Sequence, residues 1–71
     1  MVYAIIDQTK GDWFEDIFAT EKEAIDRADY SWHIMSAHDK KRRIAFYVAS
    51  CEVNEDGEID WDSVNAIKEY K

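Results

Sequence analysis

A capping sequence at residues 20–23, Thr-Glu-Lys-Glu, constrains the fold most, because it places the start of a helix between two stretches of strand-forming sequence. The Thr20 hydroxyl can accept from the backbone N–H of residue 23, and the Glu23 carboxylate can accept from the N–H of residue 20. We expect a helix from Thr20 to about Asp39, closed by the cations of residues 40–43 at the negative end of its dipole. Its core-facing residues, at helical spacing, are Ala24, Ile25, Ala28, Trp32 and Met35.

Two strands are predicted before this helix. Residues 2–7 (VYAIID) are β-branched and aromatic on both faces, which is typical of a central strand. Residues 8–12 (QTKGD) form a turn in which Gly11 can take a positive φ. Residues 13–19 (WFEDIFA) form a second strand with Trp13, Glu15 and Ile17 on one face. The acids in its middle suit an edge strand, where charge discourages pairing with another sheet.

The region after the helix begins with the longest predicted strand, residues 44–53 (IAFYVASCEV). Residues 54–57 (NEDG) are a strong turn signal. Residues 58–61 can form a short returning strand, and Asp60 or Asp62 can cap a last short helix that ends near Tyr70. That helix would carry Val64, Ile67 and Tyr70 on one side.

These elements predict one α+β domain over residues 1–71, in the order β-β-α-β-(β)-α. A hairpin followed by a helix and a return strand places the third strand antiparallel beside the first. The expected architecture is a three- or four-stranded antiparallel sheet of order 2-1-3, with the long helix across one face. The short C-terminal helix would cover an edge or part of the other face.

The charge of the chain is strongly negative, at −7 from 16 acids and nine bases. Four of the bases are consecutive, at residues 40–43, so the other 67 residues hold 16 acids against five bases, a balance of −11. Such a surface repels nucleic-acid phosphates and anionic membranes but attracts a basic protein. Residues 40–43 with Phe46 and Tyr47 could serve as a nucleic-acid patch. The pI of about 4.6 argues against that interpretation.

The single cysteine, Cys51, excludes an internal disulfide and fits a reducing compartment. The apolar run at the N-terminus is too short for a signal peptide, and no stretch approaches the roughly 20 apolar residues of a membrane span. We therefore expect a cytoplasmic protein with no membrane association.

Part of the sequence resembles a group of short, uncharacterised bacterial proteins that are common in Clostridia-type genomes and their mobile elements. In that group a Thr-capped acidic helix carries an Ala, a Trp four residues on and a Leu or Met three further on, before a basic run and a strand. The matching positions are Thr20, Ala28, Trp32, Met35 and residues 40–43. The resemblance covers residues 20–53, about half the chain. It implies a bacterial or mobile-element origin and supports the fold, and it assigns no activity.

Catalytic and cofactor motifs are missing from the sequence. His33 and His38 are five residues apart, which separates them by about 140° around a helix and keeps them from sharing a metal. Asp29 and His33 are four apart, the spacing of a surface pair. Two glycines cannot form a phosphate-binding loop. We expect no enzyme activity, no catalytic residues, no metal and no cofactor.

The segment 52–63 resembles an EF-hand calcium loop in part, with oxygen ligands at loop positions 3, 5 and 9 and Gly57 at position 6. Glu52 stands at the first position and Ser63 at the twelfth, where calcium needs a bidentate carboxylate. A polar β-turn with Gly57 at positive φ is the favoured interpretation. Weak calcium binding is left open.

A second apolar stripe on the long helix is not needed to cover one sheet. Tyr30, Ile34 and Ala37 lie roughly opposite the core stripe. They can contact the C-terminal helix, a partner protein or a second copy, or they can be ordinary surface residues. The leading hypothesis is a non-catalytic protein-interaction module that uses this stripe or an exposed strand edge to bind a protein partner or to form a homodimer. The alternative is an acidic inhibitor that imitates nucleic acid and blocks a basic protein.

Overall fold

A computed structural model describes all 71 residues as one four-stranded antiparallel sheet with two helices. The elements are β1 (Val2–Thr9), β2 (Asp12–Phe18), α1 (Glu21–Ile34), α2 (Ala37–Arg42), β3 (Arg43–Val53) and β4 (Ile59–Glu69). The strand order is β2-β1-β3-β4. The predicted α+β class, the order 2-1-3 and the long helix are confirmed.

The β1–β2 hairpin turns through Lys10 and Gly11, and Gly11 has a φ of +98°, as predicted. β1 lies in the centre of the sheet and pairs with both β2 and β3. β2 is an edge strand whose side chains are all exposed except that of Phe18, which is half-buried. The prediction of an edge position for the acid-bearing strand is therefore confirmed.

The helix begins where the capping sequence predicts. The Thr20 hydroxyl accepts from the backbone N–H of Glu23 at 3.2 Å and donates to the Glu23 carboxylate at 3.0 Å. The helix ends earlier than expected, because Met35 is extended and Ser36 caps the short α2 by accepting from the backbone N–H of Asp39 at 3.1 Å. A serine that can cap interrupts the expected single helix.

The larger core lies between α1 and one face of the sheet. Ala24 and Ala28 are fully buried against Ile5, Phe46 and Val48. The other three predicted core residues, Ile25, Trp32 and Met35, pack at its margin. The predicted core stripe of the helix is therefore confirmed.

The prediction of a C-terminal helix is wrong. Residues 59–69 form β4, which pairs antiparallel with β3 and extends the expected short returning strand to Glu69. Two register irregularities interrupt this pairing, one opposite Val48 and Ala49 and one opposite Ser50 to Glu52. Each extra residue at a bulge lengthens the spacing between side chains on the same face from two to three residues, which imitates a helical pattern.

A polar contact joins α1 to the last strand. Asp29 accepts a hydrogen bond from Lys68 at 2.8 Å and another from the Tyr70 hydroxyl. The Tyr70 ring lies between Trp32 and Phe46, with ring centroids 5.7 and 5.3 Å away. Tyr70 follows β4 directly and packs against the helix-side core.

Candidate functional site

The face of the sheet opposite α1, called the open face, carries a second apolar cluster that no helix covers. The strand register places Ala4, Ile6, Cys51 and Ile59 on this face. All four are at most 5% exposed. A sheet that is apolar on both faces normally needs a layer on each side, so the cover of this cluster has to come from within the sheet.

Val2, Tyr47 and Val64 pack against this cluster, and two tryptophans from the edge strands meet across the same face. Trp13 of β2 and Trp61 of β4 meet edge-to-face, with centroids 5.2 Å apart and planes at 79°. β1 and β3 lie between the strands that carry them, so the sheet must curl for the rings to touch. Alanines at positions 4 and 49 leave space for the rings above the central strands.

The outermost apolar side chains of the open face remain about half exposed to solvent. Trp13 is 48% exposed, Trp61 47% and Ile17 44%. Val53 lies on the same face and is also exposed. The open face therefore exposes four large apolar side chains to solvent, two of them in direct contact.

The charged groups of the open face are carboxylates. The register places Glu15 opposite Ile6 and Glu69 opposite Tyr47. The indole N–H of Trp13 points to the Glu15 carboxylate at 3.5 Å. No lysine or arginine lies at a position of the open face within the four strands. Within the four strands, the charged side chains of the open face are therefore carboxylates alone.

The thiol of Cys51 lies beneath this surface. Burial is the main cause that raises the pKa of this thiol, and the nearby carboxylates of Glu52 and Glu15 raise it further. Since the thiolate is the nucleophilic form, these surroundings hold the sulfur as a neutral thiol. Cys51 is 2% exposed and packs as a small hydrophobe in the cluster.

The predicted stripe of Tyr30, Ile34 and Ala37 lies on the helix side, away from the open face. All three residues are exposed, but the break at Ser36 places Ala37 on α2. Ile34 and Phe14 line a cleft of about 330 Å³, which neither Tyr30 nor Ala37 reaches. The structure therefore does not assemble the three residues into one cleft.

A half-buried ion pair lines that cleft. Arg43 Nε lies 2.9 Å from Asp7 Oδ1, and both side chains are 20% exposed. A guanidinium N–H of Arg43 also donates to the backbone carbonyl of Asp39 at 3.2 Å. These contacts fix the junction of α2 and β3 on β1 and leave Arg43 engaged within the chain.

Hydrogen bonds within residues 52–63, the segment that resembles a calcium loop, already use several of its polar groups. The Asn54 side-chain oxygen accepts from the N–H groups of Asp56 and Glu58 at 2.9 and 3.0 Å. Ser63 Oγ accepts from the Glu52 N–H at 2.8 Å and donates to the Asp60 carbonyl at 2.6 Å. Gly57 has a φ of +81°, so the favoured interpretation as a polar turn with positive φ at Gly57 is confirmed.

The two histidines do not converge with other metal-binding groups. His33 lies near the end of α1 and His38 on α2, and both are exposed. No group of three or more His, Cys, Asp or Glu side chains is placed to hold a metal ion.

The aromatic residues that follow the basic run already pack against other side chains of the protein. Phe46 is 4% exposed in the helix-side core, and Tyr47 packs on the open-face cluster. Lys40 Nζ lies over the Trp32 ring, 5.0 Å from its centroid. The stacking surfaces that the nucleic-acid interpretation of residues 40–43 requires are therefore covered.

Sequence reasoning placed Trp13 and Ile17 on one face of β2 but did not identify the open face. The alternation of Trp13, Glu15 and Ile17 was one available signal, and the apolar residues on both sides of β1 were another. The sequence does not place Trp61 on this face, because the pattern of the residues after it predicts a helix.

Comparisons with models of known protein families, with curated proteins and with solved structures find no match. None of the helices combines the length and the apolar content needed to cross a membrane.

Proposed function

We propose that this chain is a non-catalytic protein-interaction module that binds its partner on the open face. The observation that carries the proposal is the touching pair of half-exposed tryptophans, Trp13 and Trp61, with the exposed Ile17, on the face that holds the buried apolar cluster. Aromatic side chains are enriched at the centres of protein interfaces, where a partner completes their burial. A second layer supplied by a partner would give the open face the cover that α1 gives the other face.

The charge of the open face favours a basic partner over a second copy. Glu15 and Glu69 are its charged residues, and the whole chain carries −7. Two copies packed face to face would bring these carboxylates toward each other at a desolvated surface, which is unfavourable. The partner element that fits is an amphipathic helix or loop with apolar residues for the tryptophans and lysine or arginine for the carboxylates.

The sheet edges are less suitable as binding sites. β2 carries Glu15 and Asp16 in its middle, and β4 is interrupted by two register shifts. Charges and bulges on edge strands discourage the addition of another strand. The proposal therefore places the partner on the open face and not on an edge, and it does not use the stripe of Tyr30, Ile34 and Ala37.

A second candidate function is the acidic inhibitor that imitates nucleic acid. Residues 52–62 hold six acids and no lysine or arginine, which supports a concentrated anionic surface. The two proposals differ in what disrupts the complex. If the chain imitates nucleic acid, competing DNA should displace it from its basic partner. If the open face is the binding site, substitution of Trp13 or Trp61 should weaken the complex.

The origin and the location of the protein are also proposals. A bacterial, mobile-element-associated origin is supported by the resemblance of residues 20–53. A cytoplasmic location is supported by the single, buried, unpaired Cys51.

Site-specific photocrosslinking in the source cell tests the leading proposal. A benzophenone amino acid is placed at position 17 on the open face, and at position 30 on the outer side of α1 as the matched control. We expect a protein adduct from position 17 whose crosslinked peptide is rich in lysine or arginine, and no comparable adduct from position 30. Adducts from position 30 alone, or an acidic crosslinked peptide at position 17, would overturn the proposal.

A further inference from the structure

The fold separates charge along the molecule, although the sequence alone shows only one basic run. β3 begins at Arg43 and ends at Val53, which is about 33 Å of strand at 3.3 Å per residue. This nearly matches the longest dimension of the molecule, 37 Å. The residues before and after β3 therefore lie at opposite ends.

One end, called the basic end, gathers six of the nine bases. The strand register places Thr9 beside Arg43, which brings the β1–β2 turn to the basic run. Two adjoining clefts of about 380 and 500 Å³ open there. Their cationic lining residues are Lys10, Lys40, Lys41, Arg42, Arg43 and Lys71, and no acidic residue lines either cleft. Arg43 pairs with Asp7 and Lys71 with Glu69, so the other four are the cations without a carboxylate partner.

The opposite end, called the acidic end, is the β3–β4 connection and its flanks. Its acids are Glu52, Glu55, Asp56, Glu58, Asp60 and Asp62, all exposed. The start of α1, with Glu21 and Glu23, is at the same end, because Phe18 pairs with Tyr3, which in turn pairs with Ser50. The amino terminus is one cation there, and it lies 3.4 Å from Glu52.

We propose that two copies of this chain associate end to end, the acidic β3–β4 connection of one copy seating in the clefts at the basic end of another. The two surfaces are complementary in charge, and both are exposed. Ile44, 64% exposed and lining both clefts, offers an apolar contact to the incoming connection. The contact uses two different surfaces, so it is heterologous and can add further copies.

A second copy fits the basic end better than a nucleic acid does. A nucleic-acid strand longer than the clefts would run onto a chain of net charge −7. Trp32 lies under Lys40 and against Phe46 and Tyr70, so its ring is not free for a base. A short acidic connection needs neither a long cationic track nor a stacking surface.

The salt dependence of this contact is distinctive. At about 0.1 M salt charges are screened beyond about 10 Å, so each end acts on its own across a molecule 37 Å long. At about 0.01 M the screening length grows to about 30 Å, and the net charge of −7 on each copy adds repulsion. At about 1 M the end contact itself is screened. Association should therefore be strongest at intermediate salt.

Sedimentation velocity on charge-reversed pairs tests the proposal. The first variant, Lys41→Glu with Arg42→Glu, lowers the charge of the basic end by four. The second, Asp56→Lys with Glu58→Lys, raises the charge of the acidic end by four. A control, Asp16→Lys with Asp26→Lys, makes the same change in net charge as the second variant but on the exposed surfaces of β2 and α1. Circular dichroism checks that each variant is folded.

We expect the wild type and the control to associate with a maximum near 0.1 M salt. Each end variant alone should be monomeric, and a mixture of the two should associate again. A wild type that is monomeric at every salt concentration, or a mixture that fails to recover, would overturn the proposal. Binding of a single-stranded oligonucleotide or of an unrelated acidic peptide through Lys41 and Arg42, with no self-association, would also overturn it.

Discussion

Trp13 and Trp61 are in edge-to-face contact at 5.2 Å although they lie on the two opposite edge strands of the sheet. The contact reports the curl of the sheet, because the rings can meet only if β2 and β4 lean toward each other over β1 and β3. The two rings lie on the face where Ala4 and Cys51 are buried without a helix to cover them. The open face thus combines a small core with two rings that remain half exposed.

The tryptophan contact should contribute to stability as a coupled pair. We expect Trp13→Ala and Trp61→Ala each to lower the free energy of unfolding. The double variant should lose less than the sum of the two, with a coupling of about 0.5–1.5 kcal/mol. Urea unfolding of the four proteins measures the coupling.

Phe14→Ala provides the control for this cycle. Phe14 is adjacent to Trp13 but on the other face of β2, 62% exposed and without a ring against it. Combined with Trp61→Ala, it should show strictly additive losses. Additive losses for Trp13 and Trp61 as well would contradict the contact.

Small residues let α1 lie close to the sheet. Ala28 is 0% exposed between the helix and the sheet, so Ala28→Leu should overpack the core and cost about 1–3 kcal/mol. The matched change Ala37→Leu, on the exposed side of α2, should alter stability by less than about 0.5 kcal/mol. Thermal and urea unfolding provide both values, and equal effects would argue against the helix packing.

The contact of Asp29 with β4 should make stability depend on acid. The hydrogen bonds from Lys68 and Tyr70 lower the pKa of Asp29 below its usual 3.8. A lowered pKa contributes stability above the unfolded pKa, and this contribution is lost as the pH falls through the folded value. The difference in stability between wild type and Asp29→Asn should be constant near neutral pH and shrink below about pH 4.

Asp26→Asn is the control for this prediction, because Asp26 pairs only with Lys22 at the exposed surface of α1. Such pairs contribute little to stability. An equal pH dependence in both comparisons would remove the special role of Asp29.

The hydroxyl of Tyr70 should make stability depend on pH in alkaline solution. Burial, and then the Asp29 hydrogen bond, raise its pKa above the usual 10.0. A raised pKa contributes stability that is present below the unfolded value and is lost as the pH rises toward the folded value. The stability of the wild type relative to Tyr70→Phe should therefore fall above about pH 10, as measured by urea unfolding. A difference that stays flat in alkali would contradict this contact.

Local sequence signals predicted the first two-thirds of the fold. The capping sequence at Thr20 and the spacing of Ala24 and Ala28 were sufficient for α1 and its buried face. Gly11 and the acids of β2 were sufficient for the hairpin and its edge position. Each of these features depends on residues close in sequence, where periodicity and turn chemistry act directly.

The last strand was not predictable in the same way. Bulges separate Trp61 from Val64, and Ala66 from Glu69, by three positions on one face of β4. That spacing is closer to a helix than to a regular strand. The open face was missed as a consequence, since the expected helix would have covered part of it. The charge separation depends on the register between β1 and β3, which no local pattern contains.

Fluorescence quenching by ions of opposite charge tests the central claim most directly. Trp32→Phe leaves the open-face pair, and the double change Trp13→Phe with Trp61→Phe leaves Trp32 beneath Lys40. Each quenching constant is divided by that of free N-acetyltryptophanamide. We predict that caesium quenches the open-face pair more effectively than iodide does, and that the order is reversed for Trp32. An open-face pair that neither ion reaches, or that iodide quenches better, would contradict an exposed apolar surface bordered by carboxylates.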